Sequence, residues 1–154
     1  MDYDKAAFLE MSVANLTETM PGEPFSVEKL AATFDRGITK AEPTIWVVEK
    51  NRKAIGFMAS YIRGFDYRDG HYTTQRVIYV SPEHRGTRAA VLLAKELVRW
   101  SKSIGAAKIE GGNDNSFNSD RTAAFLEHFG FENVGFAMRK RLEERGDGKQ
   151  QERR

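Results

Sequence analysis

Hydrophobic and polar positions in the first forty residues recur with the period of an α-helix. Within residues 4–19 the apolar positions Leu9, Val13 and Leu16 are four and three residues apart, which is the spacing of one helical face. A segment rich in proline and glycine, at 21–24, interrupts this pattern. Ser26 then has the position of a helix N-cap. The apolar stripe of a second helix follows it: Val27, Leu30, Ala31, Phe34 and Ile38.

The next forty residues have the composition of strands. Residues 44–49, 54–62 and 73–80 are rich in β-branched and aromatic side chains, and turn-forming residues separate them. A short polar turn at 50–53 predicts that the first two strands form a hairpin. The sequence therefore predicts a run of three strands after the two helices.

The second half of the chain predicts a helix between two strands. Its apolar face comprises Ala90, Leu93, Leu97, Trp100 and Ile104, and Gly105 has the place of a C′ residue. A short strand at 107–110 follows, and this strand–helix–strand order predicts a parallel crossover.

A last helix is expected after a polar loop at 113–118, with Ser119 or Asp120 as its N-cap. Residues 131–142 predict one or two closing strands. We expect a single three-layer α/β (α+β) domain over residues 1–142 and a charged, disordered tail at 143–154.

Composition narrows the classes of function. The 154 residues include no cysteine, which excludes disulfide scaffolds, thiolate metal sites and cysteine nucleophiles. No apolar run has the length of a membrane span, and the N-terminus is acidic, so a cytoplasmic protein is expected. Lys and Arg number 24 against 22 Asp and Glu, and acidic residues interrupt the basic tail. Neither a membrane nor a nucleic acid is expected as a partner.

Residues 77–90 carry the clearest chemical signal. An apolar strand, a bend containing Gly86 and a helix start follow one another there. A helix N-terminus presents unpaired N–H groups and a partial positive charge, which together favour a bound phosphate. Arg85 and Arg88 add positive charge suited to phosphate oxygens. The alternative is that this segment has no binding role and is an ordinary strand-to-helix turn with solvated arginines.

The order of these features resembles that of the GNAT superfamily of N-acetyltransferases. The resemblance spans residues 44–142, and it is closest to the short members that phages and prophages encode. It rests on the strand ending at Val80, the Arg85–Ala90 bend, the helix through Trp100 and the Gly130 region. It implies a mixed, mostly antiparallel sheet with a central, splayed parallel strand pair and helices on both faces. It also implies that acetyl-CoA is the co-substrate.

The resemblance implies where acetyl-CoA binds. The backbone of the splayed strand would meet the pantetheine and the thioester carbonyl, at Ile78, Tyr79 and Val80. The family's Arg/Gln-x-x-Gly-x-Gly/Ala loop would bind the pyrophosphate through its backbone N–H groups, at Arg85, Gly86, Thr87, Arg88, Ala89 and Ala90. Arg88 replaces the middle glycine of that pattern, and we expect its side chain to point outward, near the 3′-phosphate.

Amine acetylation requires deprotonation, because only about one alkylamine in 2,500 is neutral at pH 7 when its pKa is near 10.4. The family's usual tyrosine acid falls on Leu126, and its usual strand carboxylate falls on Gly112. Glu110 lies two residues before Gly112, on the same strand face, and is the first candidate base. His71 is a second candidate base, beside the acceptor. Tyr79 is a candidate acid, although aromatic packing also explains it.

The segment that would cover the acceptor side of the predicted site is short. Only residues 132–135 separate the last two predicted strands, so we expect an open groove that suits a peptide or small-molecule amine. Asp66 and Asp69 would attract a cationic acceptor, or they are simply part of a solvated loop.

Two functions remain open at this stage. The first is an acetyl-CoA-dependent N-acetyltransferase whose primary amine attacks the thioester directly in a ternary complex. The alternative is a catalytically weak or inactive GNAT-fold module that binds coenzyme A or has a structural role, for example in a phage particle. No metal site is expected, and a homodimer is an open alternative to a monomer.

Overall fold

The computed structural model of the chain describes residues 2–113 and 115–142. As far as the last helix, the order of the helices and strands is the predicted one, with a 3₁₀ turn in addition: α1 (Asp2–Thr19), α2 (Val27–Lys40), β1 (Thr44–Lys50), β2 (Lys53–Gly64), β3 (His71–Val80), the 3₁₀ turn (Pro82–His84), α3 (Ala89–Ser103), β4 (Ile109–Glu110) and α4 (Ser119–Glu127). Within these ranges no helix combines the length and the apolarity that crossing a bilayer requires.

The described strands form one mixed sheet in the order β1-β2-β3-β4. The first two pairings are antiparallel, and β3 pairs with β4 in parallel. This arrangement confirms the predicted mixed, mostly antiparallel sheet and its parallel crossover through α3. The parallel pairing is short, because only Thr73 and Thr74 of β3 have partners in β4.

Helices cover both faces of the sheet. On one face Phe8 of α1 packs against Phe34 of α2 and against Phe57 of β2, with ring centroids 5.4 and 5.1 Å apart. On the other face Met58 of β2 packs in a separate buried cluster that includes Leu93 and Leu97 of α3. Since successive strand residues point to opposite faces, the neighbours Phe57 and Met58 serve the two layers separately. The result is the predicted three-layer domain.

The helix caps confirm one prediction and correct another. Ser26 is the N-cap of α2, and its Oγ accepts a hydrogen bond from the N–H of Lys29 at 3.2 Å. The N-cap of α4 is Asn118, in a left-handed conformation, and not Ser119 or Asp120. Ser119 is already the first residue of the helix, and its hydroxyl donates to Asn113 Oδ1 at 2.6 Å.

The prediction of closing strands at 131–142 is wrong. These residues form no strand, and β4 is consequently the last strand of the described sheet. The Gly135 N–H donates to Asn133 Oδ1 at 3.1 Å, a local turn that competes with strand pairing. The alternating apolar residues Val134, Phe136 and Met138 remain exposed. The tail predicted at 143–154 lies outside the described residues.

Candidate active site

The candidate site lies along the part of β3 that continues past β4. Beyond Thr74, residues 75–80 of β3 have no partner in β4. The Ser81 N–H donates to Ile55 of β2 at 2.9 Å, so the carbonyl of Val80, in the same peptide unit, points away from β2. Backbone groups alternate along a strand, so Ile78 directs its N–H and C=O to the same side. The two strands therefore diverge and leave polar backbone groups facing the gap.

Gln75 lies where the two strands separate. Its side chain is buried, and its Oε1 accepts a hydrogen bond from the Gly112 N–H at 3.1 Å. A side chain thus replaces the next rung of the backbone ladder. At Gly111 an added Cβ would lie 3.1 Å from this Oε1 and 3.3 Å from Phe131, so the glycine gives both groups room.

The first turn of α3 lies beyond the far end of β3. The N-cap residue Arg88 provides no side-chain cap, and the Thr87 hydroxyl oxygen accepts from the Ala89 N–H at 3.3 Å. The next two N–H groups of the helix, at Ala90 and Val91, have no intrahelical partner. Gly86, with φ +80°, leaves the space at its Cα open. This is the arrangement that binds an anion at a helix N-terminus.

A cavity of about 590 Å³ runs past this strand edge. At its α3–α4 end it is lined by Gly86, Thr87, Ala90, Val91, Arg121, Thr122 and Phe125. At its α1–α2 end it is lined by Phe8, Ser12, Asn15, Leu16, Thr19, Met20, Leu30 and Thr33. Residues 75–80 of β3 line the cavity between these two ends. One continuous space therefore joins the bare helix N-terminus to the groove between the first two helices.

Arg85 is held by three groups beside this cavity. Its Nη1 donates to Glu18 Oε1 at 2.6 Å, and its Nη2 donates to the other oxygen of the same carboxylate. Its Nε donates to the Val80 carbonyl at 3.0 Å, and its guanidinium lies over the Tyr79 ring at 5.9 Å from the centroid. The hydrogen bonds that Arg85 donates to Glu18 raise the pKa of Arg85 above its ordinary value. The side chain is thus part of the wall of the site.

The structure brings most of the predicted coenzyme-binding residues to one cavity. Those that line it are Ile78, Tyr79, Val80, Arg85, Gly86, Thr87 and Ala90. Two others do not line it. Ala89 is buried against α3's own core cluster, and Arg88 is exposed, as expected of a side chain that points outward.

The predicted catalytic residues lie mainly outside the cavity. Glu110 is exposed and pairs with Lys108 at 2.6 Å, beside a second depression of about 260 Å³ that shares Gln75 and Gly112 with the cavity. His71 does not line the cavity, because its Nε2 is hydrogen-bonded to the Ile104 carbonyl at 2.9 Å. Leu126 is buried. Glu110 as base therefore stays a prediction, and His71 is not at the site.

Tyr79 does line the cavity, although its side chain is almost fully buried. Burial raises the pKa of its phenol above the ordinary value, and the charge of Arg85 only partly opposes that rise. A phenol with a raised pKa is a weaker acid than a thiol, whose pKa is near 8.5. Proton transfer from Tyr79 to a leaving thiolate would therefore be uphill.

Sequence reasoning missed several ionisable residues that line the site, among them Glu18 and His84. Glu18 lies 67 positions before Arg85, and no local spacing links the two. His84, in the 3₁₀ turn before Arg85, also lines the cavity. Its place directly before the predicted loop was the available signal. Asp66 and Asp69, by contrast, are exposed and do not line the cavity.

Residues 11–131 match the sequence model of the acetyltransferase (GNAT) family. This match covers most of the chain, and the chain therefore belongs to the GNAT family. GNAT acetyltransferases use acetyl-CoA, so the protein is an acyltransferase of this class. No curated protein sequence matches the chain at a significant level.

Solved structures of acetyltransferases have the same fold. A Trypanosoma brucei acetyltransferase is 22% identical with a TM-score of 0.71, over 92% of this chain and 95% of its own. A predicted acetyltransferase of Clostridium acetobutylicum, with acetyl-CoA, is 18% identical with a TM-score of 0.73, over 90% of each chain. Glucosamine-6-phosphate N-acetyltransferase of Arabidopsis thaliana is 20% identical with a TM-score of 0.71, over 92% and 93%.

Proposed function

We propose that the protein transfers the acetyl group of acetyl-CoA to a primary amine, by direct attack within a ternary complex. The observation that carries this proposal is the continuous cavity along the free edge of β3. It has an anion-binding helix N-terminus at one end and room for a second molecule at the other. The coenzyme and the amine would then lie on either side of the same strand edge.

The α3–α4 end suits the coenzyme. The pyrophosphate would accept hydrogen bonds from the first-turn N–H groups of α3, where the helix dipole also favours negative charge. The pantetheine arm would run along Ile78 and Val80, whose backbone groups face the gap. Arg121 lines this end as well and adds positive charge.

In this reaction the protein contributes mainly by positioning the amine and the thioester, and less by acid–base or covalent catalysis from its side chains. The amine nitrogen attacks the thioester carbonyl carbon, a C–N bond forms, the C–S bond breaks and coenzyme A leaves as the thiolate. The Val80 N–H would stabilise the negative charge that develops on the carbonyl oxygen. Holding both reactants in register supplies much of the acceleration. The chain has no cysteine, so it offers no thiol for a covalent acetyl intermediate.

The attacking amine must lose a proton, and two side chains are candidates to receive it. His84 lines the cavity, whereas Glu110 lies at the adjoining depression and is paired with Lys108. We propose His84 as the acceptor because, of these two residues, only His84 lines the cavity itself. The proton then passes from the imidazole to solvent.

Two measurements on the purified protein test this function. Calorimetric titration with acetyl-CoA should show saturable binding, and addition of a primary amine should release free thiol and form the amide, as detected by mass spectrometry. Binding without turnover for any amine would favour the alternative of a GNAT-fold module that binds coenzyme A without catalysis. Absence of acetyl-CoA binding would reject the proposed site altogether.

A further inference from the structure

The α1–α2 end of the cavity has an unusual balance of groups for a site that binds amines. Its lining combines apolar side chains, among them Leu16 and Leu30, with the neutral polar side chains of Ser12, Asn15 and Thr33. Among the described residues that line the whole cavity, Glu18 is the only acid. Charge selection of the acceptor at this end therefore depends on Glu18.

Glu18 is not available to an acceptor. Both of its carboxylate oxygens accept hydrogen bonds from Arg85, which leaves the pair with no net charge. A second ammonium group of a diamine or polyamine would have to leave water without a counter-charge among the described lining. Most side chains that line this end are only half-buried, so the penalty is smaller than for a fully buried ion, but it still disfavours an ammonium group without a counter-charge. The cavity thus discriminates against a polycationic acceptor.

An anionic acceptor is disfavoured for a parallel reason. The arginines that line the cavity are Arg76, Arg85 and Arg121. Arg85 is paired with Glu18, and Arg121 belongs to α4 at the opposite end. Arg76 is an exposed residue of β3, already engaged with another group and not part of the α1–α2 end. A phosphate or carboxylate on the acceptor would meet only neutral groups there.

We propose that the acceptor is a primary amine whose remaining body is uncharged and largely apolar, such as an alkylamine or an arylalkylamine. This inference rests on the proposed transferase function. The apolar body would pack between α1 and α2, and Ser12, Asn15 or Thr33 would bond one neutral polar group on it. The amine would face the free edge of β3.

A matched panel of amines tests this class directly. Phenethylamine, spermidine and glucosamine 6-phosphate would be compared by thiol release at saturating acetyl-CoA. We expect kcat/KM for phenethylamine to exceed that of each other amine by about tenfold or more, which is about 1.4 kcal/mol. A higher value for spermidine or glucosamine 6-phosphate would overturn the proposed class and leave the transferase function intact. If acetyl-CoA binds but none of the amines releases thiol, both the proposed acceptor class and the transferase function are overturned.

A single substitution that should change the amine specificity provides an independent test of the proposal. Asn15→Asp changes almost no volume and adds an acid to the α1–α2 end. It should raise kcat/KM for spermidine relative to phenethylamine by about tenfold, because an opposite charge nearby favours the ammonium form by one or more pKa units. Asn51→Asp, in the exposed β1–β2 turn, is the control and should leave the ratio unchanged. An unchanged ratio in a folded Asn15→Asp protein would contradict the proposal.

Discussion

Glu18 and Arg85 join the last turn of α1 to the loop that precedes α3, through two hydrogen bonds between one carboxylate and one guanidinium. The same guanidinium bonds the carbonyl of Val80, at the end of β3. One ion pair thus links three elements that surround the cavity: the end of α1, the end of β3 and the loop that precedes α3. Two-point pairing of this kind adds geometric restraint as well as energy.

Glu18→Gln should weaken acetyl-CoA binding about five- to tenfold, which corresponds to roughly 1 to 1.4 kcal/mol. The substitution removes the charge that holds Arg85, and the loop before α3 loses one of its restraints. The side chains of Arg85 and Glu18 are 31% and 28% exposed, so the loss in free energy of unfolding should be only about 1 kcal/mol. Titration calorimetry and thermal unfolding measure the two effects separately.

Glu10→Gln is the matched control, since Glu10 is an exposed residue of the same helix. It should leave acetyl-CoA affinity and stability unchanged. The exchanged pair Glu18→Arg with Arg85→Glu should recover part of the affinity that either single change loses. Wild-type affinity in the Glu18→Gln protein would show that the ion pair does not position the loop.

Gly86→Asp should abolish most acetyl-CoA binding, with a loss of about 100-fold or more, because a carboxylate would face the bound phosphates. Gly86→Asn separates charge from backbone strain, since asparagine tolerates the left-handed conformation that Gly86 adopts at φ +80°. The asparagine variant should lose less than about tenfold. Equal losses in two folded variants would mean that no phosphate binds at this bend.

The sequence predicted the elements of this fold better than the contacts between them. The second helix and its Ser26 cap are local patterns and were found where they were expected, although Phe34 of the predicted stripe is buried whereas Val27 and Ile38 are exposed. The Glu18–Arg85 pair joins residues 67 positions apart, so it depends on how α1 lies over the sheet. The closing strands failed for a related reason. Val134, Phe136 and Met138 alternate as strand residues do, yet strand formation also needs a partner edge and an uninterrupted backbone.

For the candidate site, too, the features that are local in sequence were predicted and those that depend on tertiary contacts were not. The bend at Gly86 and the end of β3 are contiguous in sequence, and their residues were predicted as a group. A base was sought on the same strand face as Gly112, and this led to Glu110. The alternation of side chains along a strand predicts which residues share a face, but it does not predict which of them line a cavity. The structure places the Glu110 carboxylate beside Lys108 and places His84 at the cavity.

The identity of the proton acceptor can be decided by comparing two conservative variants. Glu110→Gln should change kcat by less than about threefold, because its carboxylate is exposed and paired with Lys108. His84→Gln should lower kcat by about tenfold or more at neutral pH, within the range that general bases contribute. Both variants should bind acetyl-CoA normally. The opposite order of effects, with coenzyme affinity intact, would assign the role to Glu110.

Tyr79 should contribute to loss of stability at alkaline pH. Burial raises the pKa of its phenol in the folded protein, while in the unfolded chain the value is near 10. Below that value both states hold the proton, and the stabilising contribution is fully present. As pH rises further, the unfolded chain ionises first, so the contribution is lost until the folded pKa is reached. Stability should therefore fall more steeply above pH about 10 in the wild-type protein than in Tyr79→Phe.

Thermal unfolding between pH 8 and pH 11 measures this difference, with the two proteins compared by slope. A constant offset is expected from the lost phenol hydroxyl, and it does not affect the slope. Tyr67→Phe is the control, because the Tyr67 side chain is 79% exposed. If stability falls with the same slope at alkaline pH in the wild-type and Tyr79→Phe proteins, the Tyr79 phenol is not desolvated by folding. The raised pKa, and with it the argument against Tyr79 as the acid for the leaving thiolate, would then fail.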